Sequence, residues 1–318
     1  MTDPVRDFIE REGFLVLDGG LATELETLGC DLDDPLWSAR ALIDDPGAIR
    51  TAHRRFLEAG ADCIATATYQ ATFEGFRARG LDAADTARLL EQAVRLAVSA
   101  RDGFVAARAI KPAGRPRPLV AASVGPYGAY LADGSEYTGD YGLSAAELYD
   151  FHARRWEVLA ETEADVLACE TTPSAEETRA YCRLAAVSHR PTWISFQCRD
   201  GAHLADGTPL EAAVATCDAE PHVVAVGVNC TDPGFTVSLI GEARRATGKP
   251  ILVYPNSGEV WDAGTKRWTG PSTAMDWARS ATEWRRAGAD GAGGCCRVGP
   301  AEITAIRGGA ISSQTTVT

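Results

Sequence analysis

Eight short apolar or β-branched runs, each followed by a longer stretch of helical pattern, limit what this chain can fold into more than any other feature. The runs are FLVLDGG (14–20), CIATATY (63–69), LVAASVG (119–125), VLACETT (166–172), TWISFQC (192–198), VAVGVNC (224–230), PILVYPN (250–256) and GAGGCCR (291–297). Strands buried on both faces of a parallel sheet read as nearly unbroken apolar runs. A βα alternation sustained along the whole chain calls for parallel strands joined by right-handed crossovers, and eight such units close a barrel. The expected fold is α/β, a single-domain (β/α)8 TIM barrel over residues 1–311. A polar tail, 312–318, is expected to be disordered.

The segments between the runs carry helix signals. Asp44 or Asp45 can cap a helix opening at Pro46, Ile49, Ala52, Phe56 and Ala59 follow at near-helical spacing, and Gly60 stops it. Ala87, Leu90, Val94 and Ala97 suggest a longer helix. Ser144 and Glu147 form a capping box ahead of Leu148, Phe151 and Leu159. Further helices are expected to start near Ser174, Pro209, Pro233, Ser272 and Pro300. The loop 111–118 follows a helix and reads as a surface connection without chemistry. Loops 126–142, 199–208 and 257–271 follow strands, on the face where such barrels build active sites. No internal repeat beyond the alternation is evident.

Bulk properties exclude several function classes. A chain of 318 residues that is 45% hydrophobic and 24% charged can bury a sizeable core. A net charge of -13, a pI of about 4.9 and the lack of any Lys/Arg block argue against nucleic-acid and anionic-membrane partners. The opening MTDPVRDFIEREG lacks the apolar stretch of a signal peptide. No run approaches the roughly 20 apolar residues of a membrane span. A cytoplasmic protein is expected, so its nine cysteines read as reduced thiols. Oligomeric state is not legible.

If the runs are barrel strands, the polar residues at their ends share one rim. Run six ends on Cys230 and run eight carries the vicinal pair Cys295 and Cys296. Three thiolates suit zinc, which takes four tetrahedral ligands and would keep one position for substrate. Gly293 and Gly294 are expected to supply unusual backbone angles that let both vicinal cysteines reach one ion. The other six cysteines read as small buried hydrophobes, and no histidine sits at a strand end. Asp18, Gly19 and Gly20 end the first run and Glu170 interrupts the fourth, so two carboxylates and exposed N–H groups can clamp an amino acid's ammonium and carboxylate. The third glycine of a dinucleotide fingerprint is missing.

Several longer stretches point further. DGGLATEL (18–25), GADCIATATYQATFEGF (60–76), SVGPYGAYLADGSEYTGDY (123–141), VGVNC (226–230), YPNSGEVWD (254–262) and GGCCR (293–297) together resemble homocysteine S-methyltransferases over nearly the whole chain. The resemblance implies a zinc-dependent barrel enzyme of methionine biosynthesis, which moves a methyl group onto the homocysteine sulfur. It implies Cys230, Cys295 and Cys296 as zinc ligands, catalytic through the metal. Asp18 and Glu170 would hold the homocysteine amino group and the backbone of Gly19 and Gly20 its carboxylate, with Asn229 counted among the substrate-binding residues. S-methylmethionine or S-adenosylmethionine is the implied donor, chiefly through YPNSGEVWD, with betaine- or folate-using relatives of the same fold as the alternative.

A sulfonium donor carries fixed positive charge, which aromatic faces attract by about 0.5 to 2 kcal/mol per ring. Tyr127, Tyr130, Tyr137, Tyr254, Trp261 and Trp268 lie in strand-following segments and are the candidates. Two other readings compete. A thiol oxidoreductase using Cys295 and Cys296 predicts a C-x-x-C spacing or a flavin or nicotinamide motif, and neither is present. A non-enzymatic zinc-binding protein predicts a fourth ligand and no amino-acid clamp.

Overall fold

The computed structural model of the chain describes residues 3–34, 36–108, 115–262, 267–270 and 275–312, with all of their side chains except those of 260–262, 267 and 312. All eight runs contain strands. They are β1 (Leu15–Val16), β2 (Cys63–Ala65), β3 (Leu119–Val124), β4 (Val166–Thr172), β5 (Thr192–Phe196), β6 (Val223–Asn229) and β7 (Ile251–Tyr254). A hairpin of β8 (Val260–Asp262) and β9 (Arg267–Thr269) occupies the loop after β7, and β10 (Gly291–Ala292) is the eighth barrel strand. Parallel pairing runs β1-β10-β7-β6-β5-β4-β3-β2, and a parallel bridge between Leu17 and Cys63 joins the two ends.

Alternation along each strand divides the core in two. In β3, Val120 and Ala122 pack outward under the helices, whereas Leu119 and Ala121 point into the barrel with Leu15, Val166, Trp193 and Leu252. Val5 and Phe8 of the Pro4–Glu12 helix belong to that inner cluster and plug the barrel floor.

Most helix starts follow their caps. Asp45 accepts from Ala48 N at 3.0 Å to open Pro46–Ala59, and Gly60, at φ 117°, closes it. The Ser144–Glu147 box opens Ala145–Ala160, and Ser174 caps Ala175–Ser188. Pro209 precedes Leu210–Asp218, Pro233 opens a 3₁₀ turn that leads into Thr236–Ala246, and Pro300 opens Pro300–Ser312. Ser272 lies outside the described residues, and that helix is seen from Trp277, capped by Asp276. Ser312 ends the last helix, and the rest of the expected tail, 313–318, is also outside. No described helix is long and apolar enough to cross a membrane.

A short repeat does recur, on the face opposite the rim. Asp62, Asp165 and Asp290 each follow a buried alanine just before β2, β4 and β10. Each carboxylate accepts the N–H of a residue in a neighbouring strand: Val16 at 3.1 Å, Val120 at 2.8 Å and Ile251 at 2.9 Å. Each aspartate N–H donates back to that residue's carbonyl, at 2.6, 2.8 and 2.8 Å. Arginines neutralise the carboxylates: Arg115 and Arg307 on Asp62, Arg101 on Asp165 and Arg244 on Asp290. Arg115 belongs to the loop read as a plain surface connection, where residues 111–114 lie outside the described ones. It fastens that loop to the barrel floor.

Candidate metal and substrate site

The rim brings the three cysteines together. Cys230 follows β6, Cys295 and Cys296 follow β10, and the Sγ atoms lie 3.1 Å (Cys230–Cys295), 3.5 Å (Cys230–Cys296) and 4.0 Å (Cys295–Cys296) apart. Among the described residues they form the one such group able to hold a metal ion. Hydrogen bonding with Cys295, which donates to it, and then with Cys296 pulls the Cys230 thiol well below the usual thiol range. Cys295 and Cys296 are held up, first by their bonds with Cys230. Three soft sulfurs sharing negative charge in a buried corner are a donor set for a thiophilic cation.

The backbone delivers them differently from the sequence expectation. Gly293 and Gly294 are absent from the positive-φ residues, so unusual angles are not their contribution. Space is: a Cβ on Gly293 would meet Asp18 O at 2.7 Å, and one on Gly294 would meet Val298 Cγ1 at 2.1 Å. The left-handed conformation falls on Cys230 itself, at φ 50°, and on Thr171, at φ 61°, a costly choice for non-glycine residues that is concentrated at functional sites. Asn229 holds Thr171 there: its Oδ1 accepts from Thr171 N at 2.7 Å and its Nδ2 donates to Thr171 Oγ1 at 2.9 Å. Its Nδ2 also lies 3.8 Å from Cys295 Sγ.

Asp18, Gly19, Gly20, Glu170 and Asn229 line the same cavity as the cysteines, a space of about 910 Å³. Asp18 Oδ2 accepts from Ala65 N at 2.8 Å. Burial, then the nearby Glu170 charge, raises its carboxyl well above the usual range. Glu170 accepts from Ser123 Oγ at 2.5 Å, and burial pushes its carboxyl up to about 7. A cation between the two carboxyls would favour the ionised form of both. Gly19 and Gly20 allow the cysteine loop to approach, since a Cβ on Gly20 would meet Cys295 O at 2.7 Å. The Gly20 N–H already donates to Val298 O at 2.9 Å.

Of the aromatic candidates, Tyr137, Tyr254 and Trp268 line the cavity. Tyr137 Oη is 3.6 Å from Cys230 Sγ. Tyr254 Oη accepts from Trp193 Nε1 at 3.1 Å and helps hold the Glu170 carboxylate. Tyr127 and Tyr130 instead pack on Phe151 outside the cavity lining, at ring-centroid distances of 4.8 and 5.4 Å. The Trp261 side chain lies outside the described ones. Tyr69, at the end of run two, lines the cavity as its place among the strand-end residues leads one to expect. Trp37 and Glu136 also line it and escape the sequence reading. Trp37 and Glu136 sit in irregular segments with no period to betray them.

A family model described as homocysteine S-methyltransferase matches residues 15–309. The chain is 47% identical over 315 residues to homocysteine S-methyltransferase YbgG of Bacillus subtilis (strain 168), covering 99% of this chain and 100% of that protein. It is 46% identical over 309 residues to the homocysteine S-methyltransferase of Escherichia coli (strain K12), covering 96% and 98%. Among solved structures, the metallated form of the homocysteine methyltransferase MmuM from Escherichia coli aligns with a TM-score of 0.86 at 43% identity, covering 96% of this chain and 99% of that one.

Proposed function

The chain belongs to the homocysteine S-methyltransferase family, and from that membership we propose that it moves a methyl group from a sulfonium donor, S-methylmethionine or S-adenosylmethionine, to homocysteine at a zinc site. The observation that carries this reading is that three thiol sulfurs from two strand ends lie within 4.8 Å of one another and share a cavity with two carboxylates, Asp18 buried and Glu170 partly buried. The donor set fits zinc: sulfur only, no hard oxygen ligand, and one thiol already pulled toward thiolate by its neighbours. Zinc bound by Cys230, Cys295 and Cys296 would supply the Lewis acidity that keeps an alkyl thiol, otherwise only a few per cent ionised at neutral pH, deprotonated.

The chain's own residues then orient the acceptor. Asp18 and Glu170 take the homocysteine ammonium, and the amide of Gly19 the carboxylate, since Gly20's is engaged. Asn229 acts as a positioning residue, through Thr171 and Cys295. The acceptor sulfur lone pair forms the new S–CH3 bond while the donor C–S bond breaks. That bond's electron pair stays on the donor sulfur, which leaves as a neutral thioether. With S-methylmethionine both products are methionine.

The test supplies zinc-loaded protein with homocysteine and, in parallel, S-methylmethionine, S-adenosylmethionine, betaine and a methylfolate. Methionine is expected with a sulfonium donor. Methionine from betaine or the folate alone would overturn the donor assignment.

A further inference from the structure

The proposed homocysteine clamp uses Asp18 and Glu170, and Glu136 is a further carboxylate of the cavity lining, alongside Glu26, Asp31, Asp33 and Asp34. Glu136 lies in the 3₁₀ turn Ser135–Tyr137, one residue before the tyrosine that reaches Cys230. Its Oε2 is buried and has no hydrogen-bond partner. The charged groups acting on it most strongly, Cys230 and Asp133, are both anionic when ionised. Arg297, which lines the same cavity, donates instead to Glu259 at 3.1 Å. The hydroxyls of Tyr69 and Tyr137 both feel the Glu136 charge, so the carboxylate stands on the cysteine side of the cavity.

This placement is fixed by backbone packing. A Cβ on Gly128 would come within 2.3 Å of Glu136 N and 2.7 Å of Ser135 C, so the turn rests directly on the Tyr127–Leu131 helix. That helix is tied down by Gln70 Nε2 on Ala129 O at 2.7 Å and by Glu177 Oε1 on Tyr127 N at 2.7 Å. A carboxylate oxygen held in place, buried and unpartnered is unfavourable unless a cation answers it.

We infer that Glu136 supplies the counter-charge that selects a methyl donor with fixed positive charge, an inference that rests on the sulfonium reading above. A sulfonium centre has no N–H or O–H to donate. It is recognised by unspent negative charge and aromatic faces, and Glu136 shares this cavity with Tyr69, Tyr137 and Trp37. The donor's charge vanishes as the methyl leaves, so Glu136 stabilises bound donor more than the transition state. Its loss therefore falls on donor binding and spares kcat.

The experiment uses the full-length zinc-loaded protein, its Glu136→Gln variant and, as conservative control, Glu136→Asp. Glu136→Gln should raise the donor KM about tenfold or more, with kcat equal to or above that of wild type and homocysteine KM and zinc content unchanged. Glu136→Asp should fall between the two. Inhibition against donor by an unreactive trimethylammonium analogue and by its neutral tert-butyl isostere gives a second readout. Wild type should prefer the cation about tenfold, and Glu136→Gln should lose the preference. If wild type uses the sulfonium donor and Glu136→Gln keeps both its donor KM and the cation preference, this inference alone is overturned. If wild type transfers no methyl from either sulfonium compound, the donor reading fails and this inference with it.

Discussion

At Thr171 and Cys230 the backbone takes angles that L-residues rarely adopt, and both positions border the cysteine cluster. Asn229 explains the first, because its amide satisfies Thr171's N–H and hydroxyl together. Asp18 shows the same economy, since one carboxylate oxygen ties the end of the first run to Ala65 N of β2 while the group faces the cavity. Asparagine can keep the Ala65 bond but not the charge. Asp18→Asn is therefore expected to fold normally and to raise the homocysteine KM about tenfold, leaving the donor KM in place, as steady-state kinetics with each substrate varied will show. His53 is a different case, a ring fully buried in the Pro46–Ala59 helix with neither nitrogen partnered. Burial lowers its pKa from 6.5 to about 4. The unfolded chain then binds the extra proton between those values and the folded one does not, so stability falls as pH drops through that window. Between pH 7 and pH 5 His53 should cost about 2 kcal/mol. His53→Leu should remove that part of the decline, measured as the difference in denaturant midpoints at the two pH values.

The elements are held in register by the aspartates at the strand starts. β1 pairs with β10 over two residues and meets β2 through one bridge, so ladder bonds alone close the ring weakly. Asp62 compensates by bonding Val16, Arg115 and Arg307 together. Removing a partner from a buried ion pair strands the other charges, at about 3 kcal/mol. Asp62→Ala should lower stability by that amount in urea unfolding, with kcat unchanged below the transition because the rim lies at the other end of the strands. Strands and helix caps were legible in the sequence, since burial on both faces and cap chemistry write themselves into local residue order. The Ala-Asp repeat was not, because a two-residue pattern is inconspicuous among 44 acidic residues. The glycines before the cysteines act by close approach and not by backbone angle, Gly293 against Leu17 and Asp18 at the end of the first run and Gly294 against Val298 of its own loop, which only the packed barrel reveals.

For the molecule as a whole, closure of eight parallel strands makes residues 65 positions apart into neighbours, and that much follows from counting runs. Cys230, Cys295 and Cys296 converge for this reason, and Asp18 and Glu170 come with them. What lies over the rim follows no such rule. Trp37 and Glu136 arrive on irregular segments positioned by tertiary contacts, such as the Ser135–Tyr137 turn on Gly128, and no periodicity announces them. The central claim is that the three cysteines hold zinc with a position left for the acceptor sulfur. X-ray absorption at the zinc edge, on protein loaded with one zinc per chain, tests it most directly. Three protein sulfurs should become four sulfur ligands when homocysteine is added, and Cys295→Ser should lose both the zinc and the methyl transfer while keeping the fold. A zinc environment that does not change on adding homocysteine would contradict the account.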